Sequence, residues 1–316
     1  MESHAVAIEI SGLRKSYGDV VAVDGIDLTV RSGEVFALLG PNGAGKTTTV
    51  EILEGYRSRD TGEVQVLGHD PARRSRALLE QVGIVLQQNG VERYLNVRET
   101  LDLYRGYYPH PRPTDEILRL IGLEEKAGAR VRTLSGGQLR RLDLGIALCG
   151  DPRLLFLDEP TTGFDPSARR QAWEVVKNLT GEGRTVLLTT HFMDEAAYLA
   201  DRLAILARGR IVAEGTPEHI ASLGSKATVI RVRLPVPTPE LPRTSLAEEP
   251  VLQAGGLLEV RTTDPTRFLH TLTGWALGHG VALDELSVTR PSLEDAYLAL
   301  TGEGAGEQGT PTDVAA

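Results

Sequence analysis

Apolar and polar residues alternate from Ala5 to Ile10 and again from Ile26 to Val30, the period-2 pattern of half-exposed strands, here expected to be antiparallel. Four other runs are apolar without alternation: Val35–Leu39, Val82–Leu86, Leu154–Leu157 and Val186–Thr190. Runs of this kind predict strands buried on both faces, as in a parallel sheet covered by helices. Between the second and third lies Val97 to Leu148, mostly helical in spacing. It is interrupted by Tyr108-Pro109-His110-Pro111-Arg112-Pro113, which cannot be helix interior. The pattern predicts an α/β core with a helical subdomain inserted at about residues 88–150. After Thr190 come a helix near Met193–Ala200 and a hairpin, Leu203–Ala207 with Arg210–Ala213, turning at Arg208-Gly209. Thr216-Pro217-Glu218 then opens a short helix, with Thr216 as cap and Pro217 at the first helical position.

The composition changes near Gly224, which sets an expected boundary between a first domain, 1–224, and a smaller one, 225–302. Thr228–Leu234 and Leu257–Thr262 read as strands, and a proline-rich loop spans Pro235–Pro242. Phe268, Leu272, Trp275 and Ala276 share one face of a helix, and Val281–Thr289 returns as a strand. Ser292 caps a final helix ending near Gly302. This second domain is therefore expected to be α+β. The Gly-, Glu-, Thr- and Ala-rich segment 303–316 has the composition of a disordered tail.

At 316 residues the chain can hold a large core plus a smaller one. Its net charge of −9 argues against a nucleic-acid-binding protein. The single cysteine, Cys149, excludes an internal disulfide framework and sits in an apolar helical run, where it is expected to be a buried small residue. The first residues lack a basic and then apolar stretch, and no run approaches the ~18 apolar residues a membrane-spanning helix needs. A cytoplasmic chain that serves a membrane only through a partner is the expectation.

Chemistry enters at Gly40-Pro41-Asn42-Gly43-Ala44-Gly45-Lys46-Thr47-Thr48. A buried strand leads into this run and a helical segment, Lys46 to about Tyr56, leads out, the context a phosphate-binding loop requires. Gly43 and Gly45 let the backbone wrap an anion, and the amides and helix N-terminus supply positive partial charge. Lys46 adds a full charge, and the Thr47 hydroxyl is placed for Mg²⁺. The loop predicts a bound nucleoside triphosphate. A second feature is the apolar strand Leu154–Leu157 ending in Asp158-Glu159, where Asp158 is placed to hold Mg²⁺ and Glu159 to orient or deprotonate an attacking water. A third is Leu134-Ser135-Gly136-Gly137-Gln138 ahead of a helical run. Ser135 resembles an N-cap with open glycine amides behind it, so the turn reads either as an anion site or as an ordinary capped helix.

Taken in order, these segments resemble the ATP-binding-cassette ATPases, the nucleotide-binding subunits of ABC transporters. The Walker A motif is Gly40–Thr48, the Q-loop glutamine Gln87, the signature Leu134–Gln138, and Walker B Leu154–Asp158 followed by Glu159. A D-loop at Thr162-Gly163-Phe164-Asp165-Pro166 and a switch histidine at His191 complete the set, and the match runs over roughly residues 5 to 222. Phe164 stands where leucine is commoner in the family.

The resemblance implies a P-loop NTPase cassette: a RecA-like parallel sheet core, an antiparallel β subdomain and a helical subdomain. It implies ATP and Mg²⁺ as ligands, and a homodimer in which Ser135, Gly136, Gly137 and Gln138 of one copy face the triphosphate held by Lys46 of the other. Tyr17 matches the residue that stacks on adenine, Gln87 the one that touches Mg²⁺ or water, and His191 the one that contacts the γ-phosphate. Asp165 belongs to the nucleotide-facing D-loop. Tyr17 is also compatible with surface or core packing, and His191, read alone, would be a packed core residue. The closing segment Arg290–Gly302 resembles daunorubicin-resistance-type cassettes that serve ABC-2 exporters. That resemblance implies an ABC-2-type permease partner, attachment to the inner face of the cell membrane, and drug or antibiotic efflux. A soluble cassette ATPase of translation or DNA repair usually carries two cassettes or a long coiled-coil insertion; this chain has one cassette and no long heptad run. A small-molecule kinase is disfavoured by the signature and by the Glu159/His191 pair.

Overall fold

The alternating segments at the front of the chain form two long strands, β1 (Val6–Tyr17) and β2 (Val20–Arg31), paired antiparallel. The computed structural model describes residues 5–85, 91–224, 227–235, 251–253, 255–289 and 292–301. Gln87, most of the proline-rich loop and the segment 303–316 lie outside the described residues. The described part divides into two compact units between Pro217 and Glu218.

In the first unit β3 (Val35–Leu39) is buried at every position and runs into α1 (Lys46–Leu53), which ends before Tyr56. A strand that patterning did not single out, β4 (Thr61–Val66), pairs with β1 and completes a three-stranded sheet in the order β2-β1-β4. Then come a single turn, α2 (Arg76–Leu79), and β5 (Val82–Val85). The helical insertion contributes α3 (Val97–Arg105), α4 (Thr114–Leu120) and α5 (Gly136–Ala147). Asn96 and Glu99 cap α3 reciprocally, side chain to backbone amide at 2.8 Å each way. Gly145 lets α5 approach α4, since a Cβ there would lie 2.7 Å from Ile121 Cδ1.

The chain returns to the core as β6 (Leu154–Asp158), α6 (Pro166–Gly181), β7 (Thr185–Thr190) and α7 (Met193–Leu199). A hairpin of β8 (Arg202–Ala207) and β9 (Arg210–Gly215) follows. Its two turn residues, Arg208 and Gly209, both have positive φ, at 50° and 76°, the twist a two-residue hairpin needs. The six strands order as β5-β6-β7-β3-β8-β9, parallel except for β9. Because β7 lies between β3 and β6, the three strand ends stand side by side: Leu39 is level with Thr190, and Thr189 with Asp158. Whatever follows Leu39, Asp158 and Thr190 must meet at one edge of the sheet. The core joins both sheets through residues such as Leu13, Ile26, Phe36, Ile52, Phe156 and Leu187.

The second unit opens with α8 (Pro217–Gly224) and contains a four-stranded antiparallel sheet. Its strands are β10 (Thr228–Arg233), a two-residue β11 (Val251–Leu252), β12 (Leu257–Thr262) and, after α9 (Pro265–His279), β13 (Asp284–Thr289). α10 (Leu293–Thr301) follows. Ile230, Val232, Leu258 and Val260 pack against Phe268 and Leu272 of α9, the face that the helical spacing marks. β13 starts three residues later than Val281, which packs on this core ahead of the strand, and every residue of β13 is exposed.

Phe156 sits at the centre of the buried β6 with no accessible surface. Phe156→Ala is expected to destabilise the first unit by about 3–5 kcal/mol through lost burial and the cavity left behind. Denaturant unfolding measures this, and a loss under about 1 kcal/mol would place the core elsewhere.

Candidate nucleotide and catalytic site

Gly40 follows β3 and Gly45 precedes α1, and both stand where no side chain fits. A Cβ on Gly40 would lie 2.3 Å from the Leu206 carbonyl oxygen, and one on Gly45 would lie 2.3 Å from that of Ala22. Gly45 also has φ of 105°, a conformation that favours glycine. Gly43, at φ 81°, would meet nothing within 4 Å, so the outer side of the loop is open. Pro41 and Asn42 carry the chain between these points, and Ala44 is buried beneath it. Lys46, the first residue of α1, is buried and folds back to donate to the carbonyl oxygens of Gly40 (2.7 Å) and Pro41 (3.1 Å). Burial lowers its pKa, and the charges of Glu159 and Asp158 oppose that shift. Thr47 is exposed beside it and Thr48 half-buried.

Asp158 ends β6 and Glu159 follows it. Thr189 of β7 connects them: its hydroxyl donates to Asp158 Oδ1 and accepts from the Glu159 amide at 3.1 Å. The Glu159 amide is also 3.1 Å from the Thr189 carbonyl oxygen. Burial raises the Asp158 pKa, and the neighbouring Glu159 charge adds to this, while Thr189, Lys46 and Arg140 oppose it. Glu159 has φ of 45°, unusual for a residue with a side chain and costing of order 1–3 kcal/mol. The turn directs its carboxylate to two partners: Thr162 Oγ1 donates to Oε2 at 3.2 Å, and His191 Nδ1 lies 3.2 Å from Oε1. His191 follows β7, so the sheet order brings it to the same edge as Glu159.

The signature turn forms a capping box. The Gln138 amide donates to Ser135 Oγ at 3.3 Å and the Ser135 amide to Gln138 Oε1 at 3.0 Å. Ser135 and Gly136 are exposed, and Gly137 lies close to α6, where a Cβ would meet that of Ala168 at 3.1 Å. Among the described residues no hydrogen bond joins Ser135–Gln138 to the loop 40–48. Asp165 caps α6, accepting from the amides of Ser167 and Ala168 at 2.9 Å. Tyr17 is exposed at the end of β1, with the Lys15 ammonium 5.5 Å and the Arg57 guanidinium 5.2 Å from its ring centre. Arg57 is tied to Glu51 of α1 at 2.5 Å. Thus Lys46, Asp158, Glu159 and His191 converge within one chain, and the signature turn stands apart from them.

Patterning did not mark Thr189 or Thr162 as partners of this site. The available signal was a polar residue inside an otherwise apolar strand, since Thr189 is fully buried in β7. Cys149 is fully buried, and burial pushes its thiol up to about 12, so it stays protonated.

Residues 23–162 match the ABC transporter family model, and residues 228–292 match the C-terminal domain model of ABC transporter domain-containing protein-like chains. The chain is 42% identical over 302 residues to the Nod factor export ATP-binding protein I of Rhizobium sp. strain N33, covering 94% of this chain and 97% of that one. It is 37% identical over 307 residues to the daunorubicin resistance ATP-binding protein DrrA3 of Streptomyces coeruleorubidus, covering 94% and 96%. Among solved structures, cbiO1 from Clostridium perfringens, part of the ABC transporter complex cbiONQ, superposes with a TM-score of 0.63 at 27% identity, covering 69% of this chain and 91% of that one. An ATP-binding cassette of an ABC transporter in its ADP conformation gives 0.61 at 25% identity, over 68% and 92%. The chain therefore belongs to the ATP-binding subunits of ABC transporters, and it is an ATPase of that class.

Two outcomes follow from this geometry. Lys46→Ala removes the one buried cation at the loop and is expected to abolish measurable ATP affinity; unchanged binding of a fluorescent nucleotide would mean that the loop is not the site. Glu54, just beyond α1, is buried with Oε1 accepting no hydrogen bond among the described residues. Burial, with Asp158 and Glu51 adding their charges, pushes its carboxyl up to about 8. Its folded pKa lies above the ordinary value, so the stability it contributes is full below about pH 4.5 and is lost as pH rises through 8. Glu54→Gln is expected to match the parent protein at pH 5 and to exceed it at pH 9 by about 2–4 kcal/mol in denaturant unfolding. Equal stability at both pH values would count against a buried, titrating Glu54.

Proposed function

We propose that this chain powers export, hydrolysing ATP while two copies enclose two nucleotides and drive a separate membrane subunit. The observation that carries the catalytic part is the meeting of Glu159 with His191 and Thr162 beside Lys46. Glu159 acts as the general base, accepting the proton of a water as it attacks the γ-phosphorus in line. His191 holds that carboxylate and contacts the γ-phosphate. Lys46 exchanges its loop carbonyls for phosphate oxygens, which relieves the desolvation of its ammonium. The loop amides and the N-terminus of α1 receive the remaining phosphate charge, and Tyr17 stacks on the adenine.

The residues fit a bound Mg²⁺ of the kind this chemistry uses. The Thr47 hydroxyl is exposed at the loop, the Asp158 carboxylate faces the same edge, and Gln87 belongs to the segment that follows β5. Among the described residues no group of three His, Cys, Asp or Glu side chains could hold a metal by itself. Such an ion neutralises charge on the phosphate oxygens when bound.

The homodimer reading is supported by the signature turn. Ser135 and Gly136 are exposed and make no hydrogen bond to their own loop among the described residues. A two-fold arrangement sets the turn of each copy, Ser135 to Gln138 with Asp165 nearby, over the nucleotide of the other. Export is named for one relative and drug resistance for another. That is the support for an exporter, for a permease of the ABC-2 type, and for a place on the inner face of the membrane. Among the described residues no helix is long and apolar enough to cross a membrane.

Glu159→Gln tests the central step. It is expected to keep ATP affinity, to slow hydrolysis by ~10²–10⁴-fold, and to leave an ATP-dependent dimer in size-exclusion chromatography. A variant that stays monomeric at saturating ATP would count against the shared site, and one that hydrolyses at the parent rate would remove Glu159 as the base.

A further inference from the structure

Arg140, one turn into α5, reaches back to the catalytic turn. Its guanidinium donates to the carbonyl oxygens of Asp158 (3.0 Å), Glu159 (3.4 Å) and Pro160 (3.2 Å). These three peptides are the ones that turn the chain into the left-handed conformation of Glu159. The signature helix therefore holds the backbone of the catalytic carboxylate directly. Burial lowers the Arg140 pKa, and the charges of Asp143, Asp158 and Glu195 oppose that shift.

Glu195 has no role in the reaction as described above, and its surroundings are unusual. It belongs to α7, four residues after His191, and is 0% exposed. Its Oε1 accepts from Thr161 Oγ1 at 2.8 Å and from Trp173 Nε1 of α6 at 3.0 Å. Its Oε2 accepts no hydrogen bond among the described residues. Glu195, Arg140, Thr161, Phe164 and Trp173 line one small cavity of about 20 Å³ under the D-loop. A buried carboxylate is costly unless a cation compensates it, and one cation beside this cavity is Arg140.

The geometry points to Arg140 and Glu195 as positioning residues that set the catalytic turn, Arg140 by holding the carbonyl oxygens of 158–160 and Glu195, from the switch-histidine helix, by holding Thr161 and Trp173 in the cavity that the two share. The pair links three segments the reaction has to coordinate: the signature helix α5, the turn bearing Glu159, and the helix that follows His191. A partner copy acting on the signature turn shifts α5, and Arg140 carries that shift to Glu159 without any contact to nucleotide. This inference rests on the proposed role of Glu159 as base.

Glu195→Gln keeps an acceptor for Thr161 and Trp173 but removes the charge next to Arg140. With the full chain and MgATP, ATP affinity is expected to stay within about twofold, while single-turnover hydrolysis falls roughly 10- to 100-fold, the range a displaced catalytic group costs. Introduced into Glu159→Gln, the same change is expected to cost nothing further, because its route of action is already gone. Arg140→Lys keeps the buried charge but lacks the fork that reaches three carbonyls. It is expected to repeat the loss at unchanged affinity, and it decides the matter should E195Q fail to fold. Hydrolysis at the parent rate in E195Q or R140K, or an E195Q loss that multiplies undiminished onto E159Q, overturns the inference. E159Q at the parent rate removes the base itself, and the inference falls with it; a slow E159Q beside a fast E195Q sinks the inference alone.

Discussion

Asp158 and Glu159 are adjacent carboxylates at the end of one strand, in a place where burial already disfavours charge on the first of them. The site works only if the two are kept from acting as one repelling pair. Thr189 does this. Its hydroxyl donates to Asp158 and accepts from the amide of Glu159, so the first carboxylate is tied to β7 while the second is directed to Thr162 and His191. The positive φ of Glu159 is the backbone consequence. Without that reversal the side chain would continue the alternation of β6, away from His191. The Thr189 hydroxyl bond to Asp158 and the Glu159 N–H shared between the Thr189 carbonyl and hydroxyl oxygens, together about 2 kcal/mol net, are of the size of the strain of one left-handed residue.

The sheet order makes that arrangement available. β7 carries both Thr189 and, one residue beyond its end, His191, and it is flanked by the strand that leads into the phosphate loop and the strand that ends in Asp158. A parallel sheet collects its strand ends at one edge, and here the order of strands sets which ends are neighbours. Lys46 depends on this as well. Its ammonium is buried, and the electrostatic support comes from Asp158 and Glu159 across the edge. Its hydrogen bonds go to the loop's own carbonyls, a poorer set of acceptors than phosphate oxygens.

The parts of this site carried by main-chain form were legible in the sequence. Four apolar runs marked β3, β5, β6 and β7, and the glycines after β3 marked the loop, because burial on both faces and close backbone approach leave direct traces in residue type. The exposed elements were harder. β4, reading Thr-Gly-Glu-Val-Gln-Val, buries only Val64 and Val66, too little alternation to separate it from a loop. β13 has no buried residue and exists through its pairing with β10, yet the run Val281–Thr289 did mark it, with only its start placed three residues early. The buried polar residues were hardest. Glu195 looks like one more acid in Asp194-Glu195, and Arg140 like half of an exposed Arg140-Arg141 pair. Their positions did carry a sign: Leu199 follows Glu195 by four residues and Leu144 follows Arg140 by four, which sets each charge on the apolar face of its helix. A charged residue on a core face needs a partner, and only the fold shows which one.

The same reasoning separates the two anion-binding features of the chain. The loop at Gly40–Thr48 is completed within the chain, by Lys46 and by the ends of β6 and β7. The turn at Ser135 is completed only as a helix cap: its hydroxyl is used by the Gln138 amide, and Gly136 is exposed, while Gly137 lies against Ala168 of α6. Gly136, where a Cβ would meet nothing within 4 Å, costs conformational entropy at a helix position where alanine would be better by about 0.5–1 kcal/mol. That expense is hard to understand in an isolated molecule and easy to understand if a phosphate from a second copy comes close to the backbone there. The Arg140 contacts then give the approach a consequence, since the helix that would feel it is the helix that grips Glu159.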